Sequence, residues 1–209
     1  MIPLQVQLVL YMNATMEGLK RQYPDKAIRP GAMFYYHIAR PLVDADVATQ
    51  KGTENAILKE LRVKGFLNRD DEVIQAMDHG LQGGSDVIPV RLNKEMEPDA
   101  KSHVISDEEF FVLGDYVQML LEESGRSMVR GEVDCAPYKI KKDTGCDYCE
   151  YHGICGFDAG IEGYAYRCLR APKERAEIID LMRKELEIYH LRKERTANDE
   201  VDSGTTKGY

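Results

Sequence analysis

A short stretch rich in cysteine and glycine places the strongest constraint on how this chain folds. It reads Cys146-Asp-Tyr-Cys-Glu-Tyr-His-Gly-Ile-Cys155, so three cysteines follow the spacing C-x2-C-x5-C, with glycines at 145, 153 and 156. Thiolates that share a metal site must converge, and glycines let the backbone turn tightly enough to bring them together. The pattern predicts a loop folded round a metal ion or an iron–sulfur cluster.

Three interpretations of this stretch stay open from the residues alone. The first is a cubane iron–sulfur cluster held by Cys146, Cys149, Cys155 and a fourth cysteine, since such clusters take four thiolates. The second is a zinc site that adds His152, although four ligands at such short, even spacing would strain to close round one ion. In the third interpretation the thiols are buried and bind nothing.

The fourth ligand of a cluster has two candidates within the chain. Cys168 lies in Tyr-Ala-Tyr-Arg-Cys-Leu, a segment typical of ordinary packing. Cys135 precedes Ala-Pro-Tyr in a piece that the sequence predicts to be extended. Either residue could in principle supply the missing thiolate.

Composition excludes several classes of protein. The chain has 209 residues and a net charge of -8, so no global basic field marks it as a nucleic-acid binder, and any DNA contact must be local. No apolar run approaches the roughly 20 residues of a membrane helix, and the N-terminus does not read as a signal peptide. Five cysteines without a secretory signal argue against a disulfide framework. We predict a cytoplasmic protein with reduced thiols.

The first half of the chain alternates helix and strand patterns. Apolar residues at helical spacing predict an amphipathic helix from Leu4 to Gln22, and the aromatic, β-branched run from Ala32 to Ile38 predicts a strand. Helices are expected over 53–63, where Gly65 suits a C-cap, and over 72–79. A short strand is expected over 86–92, where Pro89 makes it an edge strand.

The second half carries the clearest helix signals. Ser106 to Glu109 is a capping box, and it precedes a helix predicted to run to about Glu123. An extended piece over 131–142 enters the cysteine loop. Pro172 suits the first turn of a last helix, and residues after 196 are predicted to be disordered. A core face is expected at Ile179, Met182, Leu186 and Tyr189.

One pair of residues in the first helix also bears on chemistry. Gln7 and Tyr11 are four residues apart, so an amide and a phenol share one helix face. Such a pair can contact a phosphate or brace a metal-site lysine. The competing interpretation is a core tyrosine beside a solvated glutamine.

These features together resemble one family. The QxxxY helix leads into an aromatic strand, and the stretch Cys-x-Tyr-Cys-x-Tyr-His-x-x-Cys-Gly-Phe-Asp follows much later. Supporting segments lie at 61–68, 73–78, 85–90 and 164–167. The chain resembles the C-terminal part of the AddB-type subunits of ATP-dependent helicase/deoxyribonucleases, within a RecB-like PD-(D/E)XK nuclease domain. The resemblance covers nearly the whole chain except its tail.

The resemblance implies an α/β fold: a partial restriction-endonuclease-like core with added helices and a cysteine-cluster loop. Residues 1–196 would form the C-terminal portion of the nuclease domain, divided into 1–50, 51–130, 131–170 and 171–196, with a disordered tail over 197–209. Gln7 and Tyr11 match the family's QxxxY motif. Cys146, Cys149 and Cys155 match three ligands of a [4Fe–4S] cluster, and the fourth ligand is expected outside this chain.

The resemblance also implies an activity and partners. The family hydrolyses DNA phosphodiesters with Mg2+ during double-strand-break resection, with a helicase/nuclease partner subunit of the AddA type; ATP is used by the complex but not bound here. The family's metal-binding Asp and D/E-x-K motif would lie upstream of Met1, so this chain alone is expected to be inactive. Phosphate contacts could come from Lys139, Lys141, Lys142, Arg167 and Arg170. Two alternatives remain: a free-standing cysteine-metal module without catalysis, and a Cas4-like iron–sulfur exonuclease.

Overall fold

The structure is a computed structural model that describes residues 6–36, 38, 50–169 and 174–204. These residues fall into two compact units, one running to Val117 and the other beginning at Gln118. The described helices and strands alternate along the chain in an α/β arrangement. No described helix combines the length and the apolar run that a bilayer crossing requires.

The first unit opens with helix α1 (Gln7–Gln22) and strand β1 (Ala32–Tyr35). Both were predicted, although β1 ends at Tyr35, and the exposed residues Tyr36 and Ile38 lie outside it. Helix α2 (Gln50–Leu61), helix α3 (Asp71–Met77) and strand β3 (Val104–Ile105) follow, with strand β2 (Lys64–Asn68) between the two helices. The sequence predicted both helices within a few residues but missed β2.

A three-stranded sheet in the order β1-β2-β3 organises this unit. β2 pairs antiparallel with β1, where Phe34 lies opposite Gly65, and parallel with β3, where Leu67 lies opposite Val104. One face of the sheet joins a hydrophobic core. Its buried members are Leu67, Ile74, Leu81, Ile88, Val90, Leu92 and Val104.

Helix α1 packs against β1, as predicted. The buried side chains of the helix are Val9 and Met16, whereas Leu8, predicted to be buried, is only half-buried. Phe34 was also predicted to be buried and is half-buried, packed against the core. The difference at Leu8 shows that the buried stripe of α1 is rotated by about one residue from the predicted one.

A polar cluster closes the end of β2. Asn68 is 1% exposed, and its side-chain amide donates to the carbonyl oxygen of Pro30 and to the carboxylate of Asp107. Arg29 bridges Asp70 and Asp107, with both N···O distances at 2.9 Å. Because a buried amide without partners is costly, this cluster fixes the chain direction after β2.

The predicted edge strand over 86–92 is wrong. Ile88, Val90 and Leu92 alternate toward the core as a strand would, but the segment forms only isolated bridges beside it, such as Gly84 with Arg91. Its backbone is held by side chains instead: Arg62 donates to the carbonyl oxygens of Ile88 and Val90. An alternating pattern therefore marks burial here without a strand ladder.

Helix α4 (Asp107–Val129) begins with the predicted capping box. The Ser106 hydroxyl accepts from the backbone N–H of Glu109, and the Glu109 carboxylate accepts from the N–H of Ser106. The helix runs six residues beyond the predicted end at Glu123. Phe110, Leu113 and Val117 form its buried stripe in the first unit.

The second unit contains a small sheet and a long helix. Its strands are β4 (Tyr138–Ile140), β5 (Asp143–Thr144) and β6 (Arg167–Cys168), in the order β5-β4-β6, with the short helix α5 (His152–Cys155) between β5 and β6. The predicted extended piece over 131–142 is a strand only in β4. Helix α6 (Arg175–Gly204) has the predicted core face, buried at Ile179, Met182, Leu186 and Tyr189.

Helix α6 also corrects one boundary. It continues to Gly204, so residues 197–204, predicted to be disordered, are helical. Pro172 and residues 205–209 lie outside the described residues.

Glu122 of α4 forms a polar contact with α6 inside the second unit. Its carboxylate accepts from the Tyr189 hydroxyl and from Lys193 Nζ at 3.2 Å. The Tyr189 hydrogen bond, followed by those from Gln118 and Lys193, lowers the pKa of Glu122 to about 2. Since the pKa is lower in the folded chain, ionised Glu122 contributes stability above its ordinary value of 4.5, and this contribution is lost as pH falls toward 2.

We expect Glu122→Gln to reduce the free energy of unfolding at pH 7 by about 1 kcal/mol, a value discounted for partial solvent screening. The difference from the parent chain should shrink as pH falls from about 4.5 to 2, because both side chains are then neutral. Urea unfolding followed by circular dichroism at several pH values measures this. The exposed neighbour Glu123, changed to Gln, is the matched control, and a pH-independent difference at Glu122 would contradict the assignment.

Candidate functional site

The predicted Gln7 and Tyr11 pair is formed on α1. Gln7 Nε2 donates to the Tyr11 hydroxyl oxygen across 2.7 Å, and both side chains are exposed, Tyr11 by 56%. The competing interpretation of Tyr11 as a core residue is therefore wrong. Because the hydroxyl accepts from Gln7, its own proton can be donated outward, toward a ligand in solution.

The acidic run at the start of α3 is structural. Asp70 is the N-cap, and its carboxylate accepts from the backbone N–H of Glu72 at 2.9 Å. A hydrogen bond from Arg29 holds the pKa of Asp70 below its usual value. This confirms the sequence interpretation of residues 70–72 as a helix start rather than a metal site.

The cysteine loop leaves β5 through a tight turn. The Thr144 N–H and hydroxyl both donate to the Asp147 carboxylate at 2.7 Å, and the Cys146 N–H donates to the Thr144 hydroxyl. The N–H of Thr144 lowers the pKa of Asp147, followed by the hydroxyl. Local side-chain caps of this kind fix a turn without long-range contacts.

The loop then passes from Cys149 into one helical turn. The Cys149 N–H donates to the Cys146 carbonyl at 3.2 Å, and the Cys155 N–H donates to the Tyr151 carbonyl at 2.9 Å. Gly156 follows in the left-handed region at φ 67° and ends α5. A residue with a side chain is disfavoured at that backbone angle, which explains a glycine directly after the last cysteine.

Cys135 is the thiol that the structure brings to this loop. Its Sγ lies 3.1 Å from Cys155 Sγ, and both thiols are free. The hydrogen bond with Cys155 raises the pKa of Cys135, as do burial and the nearby Cys146 and Cys149, and the same bond lowers the pKa of Cys155. Four cysteines therefore lie in one neighbourhood. The sequence named Cys135 only as a candidate, because no local spacing links residues 20 positions apart.

The arrangement of these thiols bears on what they could hold. Within the described ranges, no three His, Cys, Asp or Glu side chains stand together so as to hold a single metal ion. In a cubane cluster each thiolate binds a different iron, so the thiolates need to surround a larger group. The soft donor set fits a cluster, and His152 lies exposed at the start of α5.

The remaining predicted residues lie around the small sheet. Cys168 is exposed in β6, which corrects the expectation of ordinary packing. Lys139 is half-buried, with its Nζ 5.3 Å from the centre of the Tyr166 ring. Lys141, Lys142 and Arg167 are exposed, and Arg170 lies outside the described residues.

Comparison with known proteins identifies the family. Residues 2–156 match the family model of the PD-(D/E)XK nuclease superfamily. Proteins named as subunits of an ATP-dependent helicase/deoxyribonuclease are 32% identical in Lachnoclostridium phytofermentans, across 98% of this chain and 18% of the relative, and 37% identical in Clostridioides difficile, across 86% and 16%. The chain thus spans less than a fifth of the length of these relatives. The match covers most of the chain, so this protein belongs to the PD-(D/E)XK nuclease superfamily.

Proposed function

We propose that this chain is part of an ATP-dependent helicase/exodeoxyribonuclease subunit that acts in double-strand-break resection and recombinational DNA repair. Its substrate is DNA, its partner is a second helicase/nuclease subunit of the AddA type, and its location is the cytoplasm. The family match and the names of the relatives support this assignment. ATP is used by the assembly and is not bound by this chain.

The observation that carries the proposal is the exposed Gln7 and Tyr11 pair. It lies inside the matched region, on a helix that packs against a strand of the sheet. With its oxygen accepting from Gln7 at 2.7 Å, the Tyr11 hydroxyl is oriented to donate its proton. A phosphate oxygen of the DNA backbone is a suitable acceptor, since charged acceptors form the stronger hydrogen bonds.

Hydrolysis itself needs groups beyond this pair. In this family Mg2+ supplies a water of lowered pKa and stabilises charge on the phosphate. The part of the chain described by the structure offers no group of three such ligands, so no hydrolytic step is assigned to these residues. The chain by itself is proposed to contact DNA without cutting it.

The cysteine loop is proposed to hold a [4Fe–4S] cluster through Cys146, Cys149 and Cys155. When bound, the cluster would link segments distant in sequence and so reduce the conformational freedom of the unfolded chain. The role of these three residues is to position thiolates from a turn, a loop and a short helix. Their local backbone hydrogen bonds hold this path without the cluster.

We expect Tyr11→Phe to weaken binding of the chain to fluorescently labelled linear duplex DNA by about three- to fivefold, which corresponds to about 1 kcal/mol for one hydrogen bond to phosphate. Fluorescence anisotropy at low salt measures the binding. The same mixtures with Mg2+ or Mn2+ added should show no cleavage above background on duplex or single-stranded DNA.

Tyr23→Phe is the matched control, because Tyr23 is also exposed and lies at the other end of α1. Equal loss of binding in the two variants would remove the assigned role of Tyr11. Strong cleavage that Gln7→Ala abolishes would show that this chain carries a complete nuclease site.

A further inference from the structure

Cys135 makes a contact that the three-cysteine motif does not account for. Its Sγ is 3.1 Å from Cys155 Sγ, although the two residues are 20 positions apart. We propose that Cys135 is the fourth ligand of the cysteine site, together with Cys146, Cys149 and Cys155. This inference rests on the proposed iron–sulfur cluster and would make the cluster site self-contained within this chain.

The strands of the small sheet bring Cys135 to the loop. Cys135 lies three residues before β4, and β4 pairs with β5, the strand that leads into Cys146. The Gly145 N–H donates to the Tyr138 carbonyl at 3.0 Å, which places the residue before Cys146 beside the start of β4. The approach of Cys135 to the motif thus follows from strand pairing.

The other edge of β4 is also held. β6 pairs parallel with β4, and the Arg167 N–H donates to the carbonyl of Pro137 at 2.9 Å. Pro137 follows Cys135 by two residues and has a restricted backbone. The segment after Cys135 is therefore fixed from both sides, so the position of its thiol does not depend on a long free loop.

Close packing around Gly145 adds to this arrangement. A side chain at position 145 would come within 3.2 Å of the Tyr138 ring, so the glycine lets the turn lie against β4. The three motif cysteines then leave this turn through short backbone hydrogen bonds. Cys135 and Cys146 are half-buried, whereas Cys149 and Cys155 are exposed and open to metal loading.

The chemistry of the four side chains sets the ligand class. Four thiols without a carboxylate ligand form a soft donor set, which favours an iron–sulfur cluster or zinc over Mg2+ or Ca2+. The Sγ–Sγ distance of 3.1 Å is that of two thiols in contact and is longer than a disulfide bond. Both sulfurs are therefore available as thiolate ligands.

The test compares serine variants of the 209-residue chain purified without oxygen. We expect the parent chain to bind iron and sulfide in the ratio of a cubane cluster, with a visible absorption band, and Cys135→Ser to lose at least about fivefold of both. Cys168→Ser is the matched control, because Cys168 is a free, exposed cysteine in the same sheet. It should bind as the parent does, and circular dichroism checks that each variant is folded.

Three other outcomes separate the two proposals. If Cys149→Ser loses iron while Cys135→Ser keeps it, the cluster stands and the role of Cys135 is overturned. If the parent chain binds neither iron nor sulfide, both proposals fail. If it binds zinc that Cys135→Ser loses, Cys135 is a ligand and the iron–sulfur assignment is overturned.

A second measurement does not depend on metal. Diamide treatment of the metal-free chain should join Cys135 to Cys155, because two thiols in contact each lose a proton and an electron to diamide, which is reduced to the hydrazine. Peptide mapping by mass spectrometry identifies the linked pair, and loading with cluster should prevent the linkage. Cross-linking spread evenly over all five cysteines would contradict the contact.

Discussion

Gly65→Ala should destabilise the first unit by about 3 kcal/mol or more, because the new methyl group has no room. Gly65 has φ at +147°, and an ideal Cβ there would lie 2.0 Å from the carbonyl oxygen of Met33. That oxygen belongs to β1, the strand that pairs with β2 at this point. The two backbones would have to separate, which would break the pairing on which α1 also packs. Urea unfolding followed by circular dichroism measures the loss.

Gly18→Ala is the opposite control within the same unit. Gly18 lies in α1, and a Cβ there would meet nothing within 4 Å. Alanine favours a helix over glycine by about 0.5–1 kcal/mol, so this variant should be more stable than the parent. A similar loss of stability at both positions would mean that the close approach at Gly65 is not the cause.

Phe110→Ala should cost about 3–5 kcal/mol of unfolding free energy, the usual range for emptying a buried phenylalanine site. Phe110 is 0% exposed and is the largest fully buried side chain among the described residues. It lies in the first turn of α4, directly after the capping box, so its removal would leave a cavity where the helix starts. Differential scanning calorimetry should show a fall in the unfolding temperature.

The next residue along the chain provides the control. Phe111 is 43% exposed, so Phe111→Ala removes the same atoms from a site that is already partly solvated. Its cost should stay below about 1 kcal/mol. Comparable costs at the two positions would contradict the orientation of α4.

Local pattern was enough for the helices with one clear apolar face. The core face of α6 was predicted at Ile179, Met182, Leu186 and Tyr189, and these four are buried. The capping box of α4 was predicted as well. In both cases the signal lies in residues three or four positions apart, which the helix itself brings together.

The strands depended on partners that no local pattern reveals. The sequence 64–68 was interpreted as the end of a helix, with Gly65 as a cap, but it is the central strand of the sheet. Gly65 and Asn68 have low strand propensity, and only pairing with β1 and β3 stabilises the strand. The segment 86–92 shows the reverse, since it alternates like a strand but is held by Arg62.

The candidate sites divide in the same way. The Gln7 and Tyr11 pair was set by the sequence, because a spacing of four places both side chains on one helix face. The cysteine spacing likewise predicted a loop suited to thiolate ligands. Only the tertiary structure decided that Cys135 meets Cys155, because the contact depends on β4 lying between β5 and β6, a pairing set by segments on both sides of the motif.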